Sequence, residues 1–310
     1  MMSWKSAILG AAVFALPVAC DQKTETAAPA PGPATAEAVA PKGPGLWKTG
    51  DADTTVYLFG TVHVLPPALE WRKPPIDKAL SEAKAIYFET DLDPDPRVIV
   101  PVIQQLGMYP PSDKLSDHLT PAQNGALQKA AADLGLPAFQ LDAMKPWLVG
   151  VTLSDVMITR AGYDVNSGVE RKLAPTAKDG GKEIRKFETV EEQLLVFADL
   201  PEETQIAFLM EGIDQIDEST AMLNELVNAW AAGDTAKLEK VMIDEDLAET
   251  PAIYDALLVK RNANWATQID KLIKSEPGTF FVAVGAAHLI GKDSVQEKLK
   301  PLGHVSDRIE

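Results

Sequence analysis

Two Gly-x-x-His tetrapeptides, one near each end of the chain, place strong limits on how it can fold. They are Gly60-Thr61-Val62-His63 and Gly285-Ala286-Ala287-His288. The first follows the apolar run Val56-Tyr57-Leu58-Phe59 and the second follows Phe280-Phe281-Val282-Ala283-Val284. Each reads as a buried strand that ends in a glycine turn and presents an imidazole. In open α/β sheets ligands sit beyond the carboxyl ends of strands. Two histidines so placed can converge on one site from opposite ends of the sequence.

A third segment repeats this logic with a carboxylate. A helical pattern from Pro75 to Ala83 leads into Ala85-Ile86-Tyr87-Phe88, which ends at Glu89-Thr90-Asp91. Leu46 to Lys48 and Thr54 to Gly60 flank the polar turn Gly50-Asp51-Ala52-Asp53 and read as a β-hairpin. The middle, roughly Arg97 to Gln268, reads as mostly helical with Pro and Gly breaks. Leu148 to Ile158 is apolar nearly all round, as in a buried helix. Glu183 to Phe187 reads as a short strand, and His304 to Ile309 alternates like an edge strand. The expected class is α/β (α+β): a central mixed sheet built from the N- and C-terminal segments, with a large helical insertion covering it.

With 310 residues, 46% of them apolar, the chain can fill a sizeable core. It carries 29 Lys and Arg against 45 Asp and Glu, a net charge of −16. Nucleic acid is therefore excluded as a partner, because phosphate neutralisation by clustered positive charge supplies most of that affinity.

Residues 1–20 read as an export signal, with Lys5 at its start, an apolar stretch from Ala7 to Val18, and Ala19-Cys20 at its close. Cys20, the only cysteine, stands where a bacterial lipoprotein is cleaved and acylated. Leu16 lies one position too far upstream for the usual lipobox and Pro17 replaces an aliphatic residue, so cleavage by an ordinary signal peptidase is the alternative. Residues 21–45, rich in Ala and Pro, read as a disordered tether, and residues 46–310 as one domain. The expected location is the periplasmic side of the cell envelope, on a lipid anchor or otherwise soluble or secreted.

The chain resembles the TraB/PrgY/GumN family, whose wider clan includes the Tiki metalloproteases and the erythromycin esterases. The resemblance rests on both Gly-x-x-His segments, Ala85 to Asp91, Gly168-Val169-Glu170, Phe187-Glu188-Thr189 with Glu192-Gln193, and Arg261-Asn262 with Trp265. For Tiki-like relatives it implies a metal-dependent peptidase using two histidines and a glutamate, which carry over to His63, His288 and Glu89.

Two imidazoles and one carboxylate make a three-ligand site with a position open for water, suited to Zn, Mn or Co. Glu89 is either the third ligand or a base that takes the water's proton. Arg261, next to Asn262, either clamps a substrate carboxylate or stabilises an oxyanion, or it pairs with surface acids. Glu170, Glu188 and Gln193 either line the pocket or belong to a solvated helix face. Asp91 either pairs with Glu89 or caps a turn. His118 and His304 read as surface residues.

A thiol nucleophile, a Gly-x-Ser-x-Gly elbow, a phosphate-binding glycine loop and His-Glu-x-x-His are all missing from the mature sequence. The leading expectation is a hydrolase of a peptide or another amide or ester bond. The second is a non-catalytic envelope protein that binds a peptide, haem or glycan.

Overall fold

The computed structural model describes residues 43–243 and 251–309. The export signal, Cys20 and most of the tether lie outside the described residues. Six strands form one mixed sheet: β1 (Leu46–Gly50), β2 (Thr54–Thr61), β3 (Ala85–Phe88), β4 (Glu183–Lys186), β5 (Gly278–Gly285) and β6 (Asp307–Arg308). Their spatial order is β4-β3-β5-β2-β1-β6. β1 pairs antiparallel with β2 as the expected hairpin, and β6 pairs antiparallel with β1. The four strands β4, β3, β5 and β2 run parallel.

The last long strand inserts between the first two parallel ones. β5 pairs with β2 from Thr54↔Gly278 to Thr61↔Gly285, and with β3 from Ala85↔Phe280 to Tyr87↔Val282. Three strand ends, each followed by one of the residues singled out above, therefore lie side by side at one edge of the sheet.

Both faces of the sheet are covered, so β2 and β5 are continuous apolar runs rather than alternating ones. Val56, Leu58, Phe280, Val282 and Val284 pack on one side against Trp265, Ala266 and Ile269. These come from helix α10 (Lys260–Ser275); the short helix α11 (Val295–Leu299) adds Val295 and Leu299. Tyr57, Phe59, Phe281 and Ala283 face the larger core on the other side.

The larger core is built from α1 (Pro74–Glu82), α2 (Pro96–Gly107), α3 (Pro121–Asp133), α4 (Pro146–Arg160), α5 (Val169–Asp179), α6 (Val190–Ala198), α7 (Glu202–Asp214), α8 (Ser219–Ala231) and α9 (Thr235–Met242). α4 is buried on nearly every side, as its composition requires. Among the described residues no helix is long and apolar enough to cross a membrane.

Three details differ from the sequence reading. The C-terminal strand shrinks to Asp307–Arg308, because Val305 and Ile309 find no apolar face and stay exposed. His304 is buried, its Nε2 2.8 Å from an Asp270 carboxylate oxygen on α10. His118 is half-buried and sits between Asp113 and Glu202, stacked on Tyr109.

Candidate functional site

The site forms where β2, β5 and β3 end. A methyl group placed on Gly285 would lie 3.1 Å from Glu89 Oε1, 3.3 Å from His63 Nε2 and 3.5 Å from His288 Cδ2. The two histidines and the glutamate thus meet around one glycine Cα, and only a residue without a side chain leaves that point open.

Each imidazole is held in a defined tautomer by a partner on its far nitrogen. His63 Nδ1 is 2.8 Å from Glu170 Oε1, to which the Thr61 hydroxyl also donates. Glu170 comes from the first turn of α5, docked on the histidine loop by Val169 N–H donating to the Val62 carbonyl at 3.1 Å. A Cβ at Gly168 would lie 2.0 Å from the His63 carbonyl oxygen, so the glycine of Gly168-Val169-Glu170 permits this close approach. Trp230 of α8 secures the same turn by donating its indole N–H to the Gly60 carbonyl at 2.8 Å.

His288 sits on a one-turn helix, Ala286–Leu289, and donates from Nδ1 to Asn262 Oδ1 at 2.6 Å. The Asn262 amide is oriented by its own donation to the Asp293 carbonyl at 2.8 Å. Trp265 lies against the His288 ring, 4.4 Å between centroids, and under the Arg261 guanidinium at 4.7 Å. Both histidines therefore turn Nε2 inward.

Arg261 fills the space between these groups. Its Nη2 donates to Glu89 Oε2 at 2.6 Å, its Nη1 donates to His288 Nε2 at 3.2 Å, and its Nε donates to Glu188 at 3.1 Å. A π-helical turn, Asp255–Val259, precedes α10. Arg261 Nη1 also donates back to the Leu257 carbonyl at 3.3 Å. Such one-residue insertions in a helix recur at functional sites. Glu89 further accepts from the Gly285 N–H at 2.6 Å and from Gln193 Nε2 at 3.3 Å.

The electrostatics divide the two histidines. Burial opposes charge on both. For His63 the carboxylates of Glu170 and Glu89 overcome it and raise the imidazole to about 8. For His288, burial together with the Arg261 and His63 charges overcomes Glu89 and lowers it to about 3. Glu89 would be raised by burial, but Arg261, the histidines and the Gly285 N–H hold it at about 2. Burial raises Glu188 in spite of Arg261. His63 is the most open member, its side chain 19% exposed against 4% for His288 and 5% for Glu89.

The residues named from the sequence thus fall into one cluster: His63, Glu89, Arg261, Asn262 and His288, with Glu170, Glu188 and Gln193 buried around them rather than on a solvated face. Asp91 stays outside, exposed and paired with Lys186. Sequence reading missed Thr61 and the Gly285 N–H as partners of the carboxylates. The signal for Thr61 was its position inside the first Gly-x-x-His.

The donor chemistry of His63, Glu89 and His288 suits a divalent cation, since each far imidazole nitrogen is bonded away. Their placement does not. Among the described residues no group of three or more His, Cys, Asp or Glu is spaced to hold a metal ion, and the Arg261 guanidinium bonds both Glu89 and His288 there.

A cavity of about 660 Å³ adjoins the cluster, with Glu188 and Arg261 in its wall. Leu195, Val196 and Leu200 on one side and Ala252 and Ala256 on the other make it partly apolar.

The model of the TraB/PrgY/gumN family matches residues 45–307. The Uncharacterized protein YbaP of Escherichia coli (strain K12) is 22% identical over 244 residues, covering 79% of this chain and 87% of its own length. Metalloprotease TIKI1 of Xenopus tropicalis and of Homo sapiens are each 26% identical. The matches cover 84% of this chain and 60% of either relative's length. No solved structure matches. The family match spans nearly all of the described residues and contains every member of the cluster: the chain belongs to the TraB/PrgY/gumN family.

Proposed function

We propose that this protein is an exported hydrolase that attacks a peptide, or another amide or ester bond, at the His63–Glu89–His288 cluster. The observation that carries the reading is the convergence of His63 Nε2, the edge of the His288 ring and the Glu89 carboxylate around Gly285. A pair of titratable groups whose environments push their proton affinities apart is the usual basis for dividing acid and base roles. His63, the most exposed of the three, carries a proton near neutrality and is placed to deliver it to a leaving group. Glu89 stays unprotonated, and its remaining lone pairs orient the attacking water and receive the proton it loses, while neutral His288 holds Arg261 in place. The cavity beside Arg261 holds the residues flanking the scissile bond, and its partly apolar lining favours a peptide.

Dependence on a divalent cation such as Zn, Mn or Co is the finer form of this reading, supported by the name of the TIKI1 relatives. Such an ion would supply Lewis-acid activation of water. With Arg261 where it stands the donors do not fit the ion, so the roles above are assigned to the side chains alone.

Incubating the purified chain with a peptide library, and reading products by mass spectrometry, tests the proposal. Cleavage that falls by about 10²–10⁴-fold in both His63→Ala and His288→Ala supports it. Cleavage that survives both changes, or a chain that binds peptides without ever cutting them, defeats it. In the same assay Gly285→Ala is expected to lower turnover by about 10²-fold while the fold is retained. The added methyl occupies the point of convergence, and sub-ångström displacement of reacting groups has effects of this size. Ala256→Trp, which narrows the cavity, is expected to raise KM by about tenfold with little change in kcat.

A further inference from the structure

We infer that Arg261 is the resident cation of the cluster and competes with a divalent metal for it, so that a metal enters only as Arg261 withdraws towards Glu188. The inference rests on the same cluster as the proposed activity, but not on that activity being present.

The competition follows from lone pairs. A neutral imidazole with Nδ1 protonated has one lone pair, on Nε2. In His288 that lone pair is turned to Arg261 Nη1 at 3.2 Å. Glu89 Oε2 accepts Arg261 Nη2 at 2.6 Å, and Oε1 accepts the Gly285 N–H at 2.6 Å. A metal bond to His288 needs the lone pair that the guanidinium now holds, and two adjacent cations would repel in a dry site. The third inward donor, His63 Nε2, faces the same point beside Gly285.

Withdrawal has a ready destination. Arg261 already bonds Glu188 through Nε and Nη2, and both residues line the cavity of about 660 Å³. Rotation about the end of the side chain can break the bonds to Glu89 and His288 while retaining Glu188. Glu188 is buried and already ion-paired with Arg261, which makes it a firm partner in either position. The arginine thus has two sets of partners, and the choice between them decides whether the two imidazoles and Glu89 are available together.

The test is equilibrium zinc binding to the purified full chain by titration calorimetry, with the visible absorption of bound Co²⁺ reporting nitrogen ligation. Arg261→Met is expected to bind one zinc about tenfold or more tightly than the wild type. Adding His63→Ala to it is expected to abolish that gain. Because Arg261→Met strands two buried carboxylates and can fail to fold, the double change Arg261→Gln with Glu188→Gln replaces the ion pair by two neutral amides. It is expected to show the same gain.

In the wild type, zinc is expected to shift the Arg261 Nε–Hε resonance. Equal zinc affinity in the wild type and a folded variant, or saturation of the wild type with that resonance unmoved, overturns the inference. Cleavage is not read in any arm. A catalytically inert chain leaves the competition testable, and an active hydrolase whose zinc affinity ignores Arg261 loses only this inference.

Discussion

Arg261→Met is expected to lower the free energy of unfolding by about 3–5 kcal/mol, the cost of removing one partner from a buried ion pair. Arg261 is only 6% exposed and bonds both Glu89 and Glu188. The variant leaves two buried carboxylates without their cation, and part of the loss arises from their mutual repulsion. Glu188→Gln in the same background is therefore expected to recover part of it. Urea denaturation of the wild type, both single variants and the double variant gives the coupling directly. Additivity of the two single changes would contradict the geometry, since groups in one hydrogen-bonded network do not act independently.

The second large effect is acid sensitivity. In the unfolded chain His288 takes up a proton near 6.5, but in the folded chain only near 3. Between those values the unfolded state binds more protons, so stability present above pH 6.5 is lost as the pH falls. At about 1.4 kcal/mol for each tenfold difference in proton affinity, the loss approaches 4–5 kcal/mol by pH 3. Glu89, lowered from 4.5 to about 2, adds to it below pH 4.5.

His63 acts in the opposite sense. Its raised value of about 8 contributes stability that is complete below 6.5 and disappears as the pH rises through 8. Stability of the metal-free chain is expected to peak near pH 6.5. Urea midpoints measured from pH 4 to pH 9 check this, and His288→Asn should flatten the acid limb. An acid limb unchanged in that variant would assign the sensitivity to other groups.

Much of this site was legible in the sequence because its parts lie at strand ends. Apolar runs followed by glycine announced β2 and β5, and Ala85 to Phe88 followed by Glu89 announced β3. Periodicity also located α4, and turn residues located the β1–β2 hairpin. The insertion's contribution was less legible. Glu170, Glu188 and Gln193 sit in segments where an acidic or amide side chain fits solvent as well as a pocket, and only packing of α5 and α6 buries them. The extent of β6 was overstated, since Val305 and Ile309 find no apolar face and only Asp307 and Arg308 pair with β1.

The sequence by itself determined where β2, β3 and β5 end, because burial on both sheet faces demands unbroken apolar runs, and these stop at Gly60, Glu89 and Gly285. It thereby determined the cast of imidazoles and carboxylates. Tertiary structure alone decided that β5 lies between β2 and β3, which brings His63, Glu89 and His288 around Gly285. It also decided that Arg261 fills their midst. Strand order and the aim of a long side chain depend on contacts between distant segments, and local spacing carries no record of them.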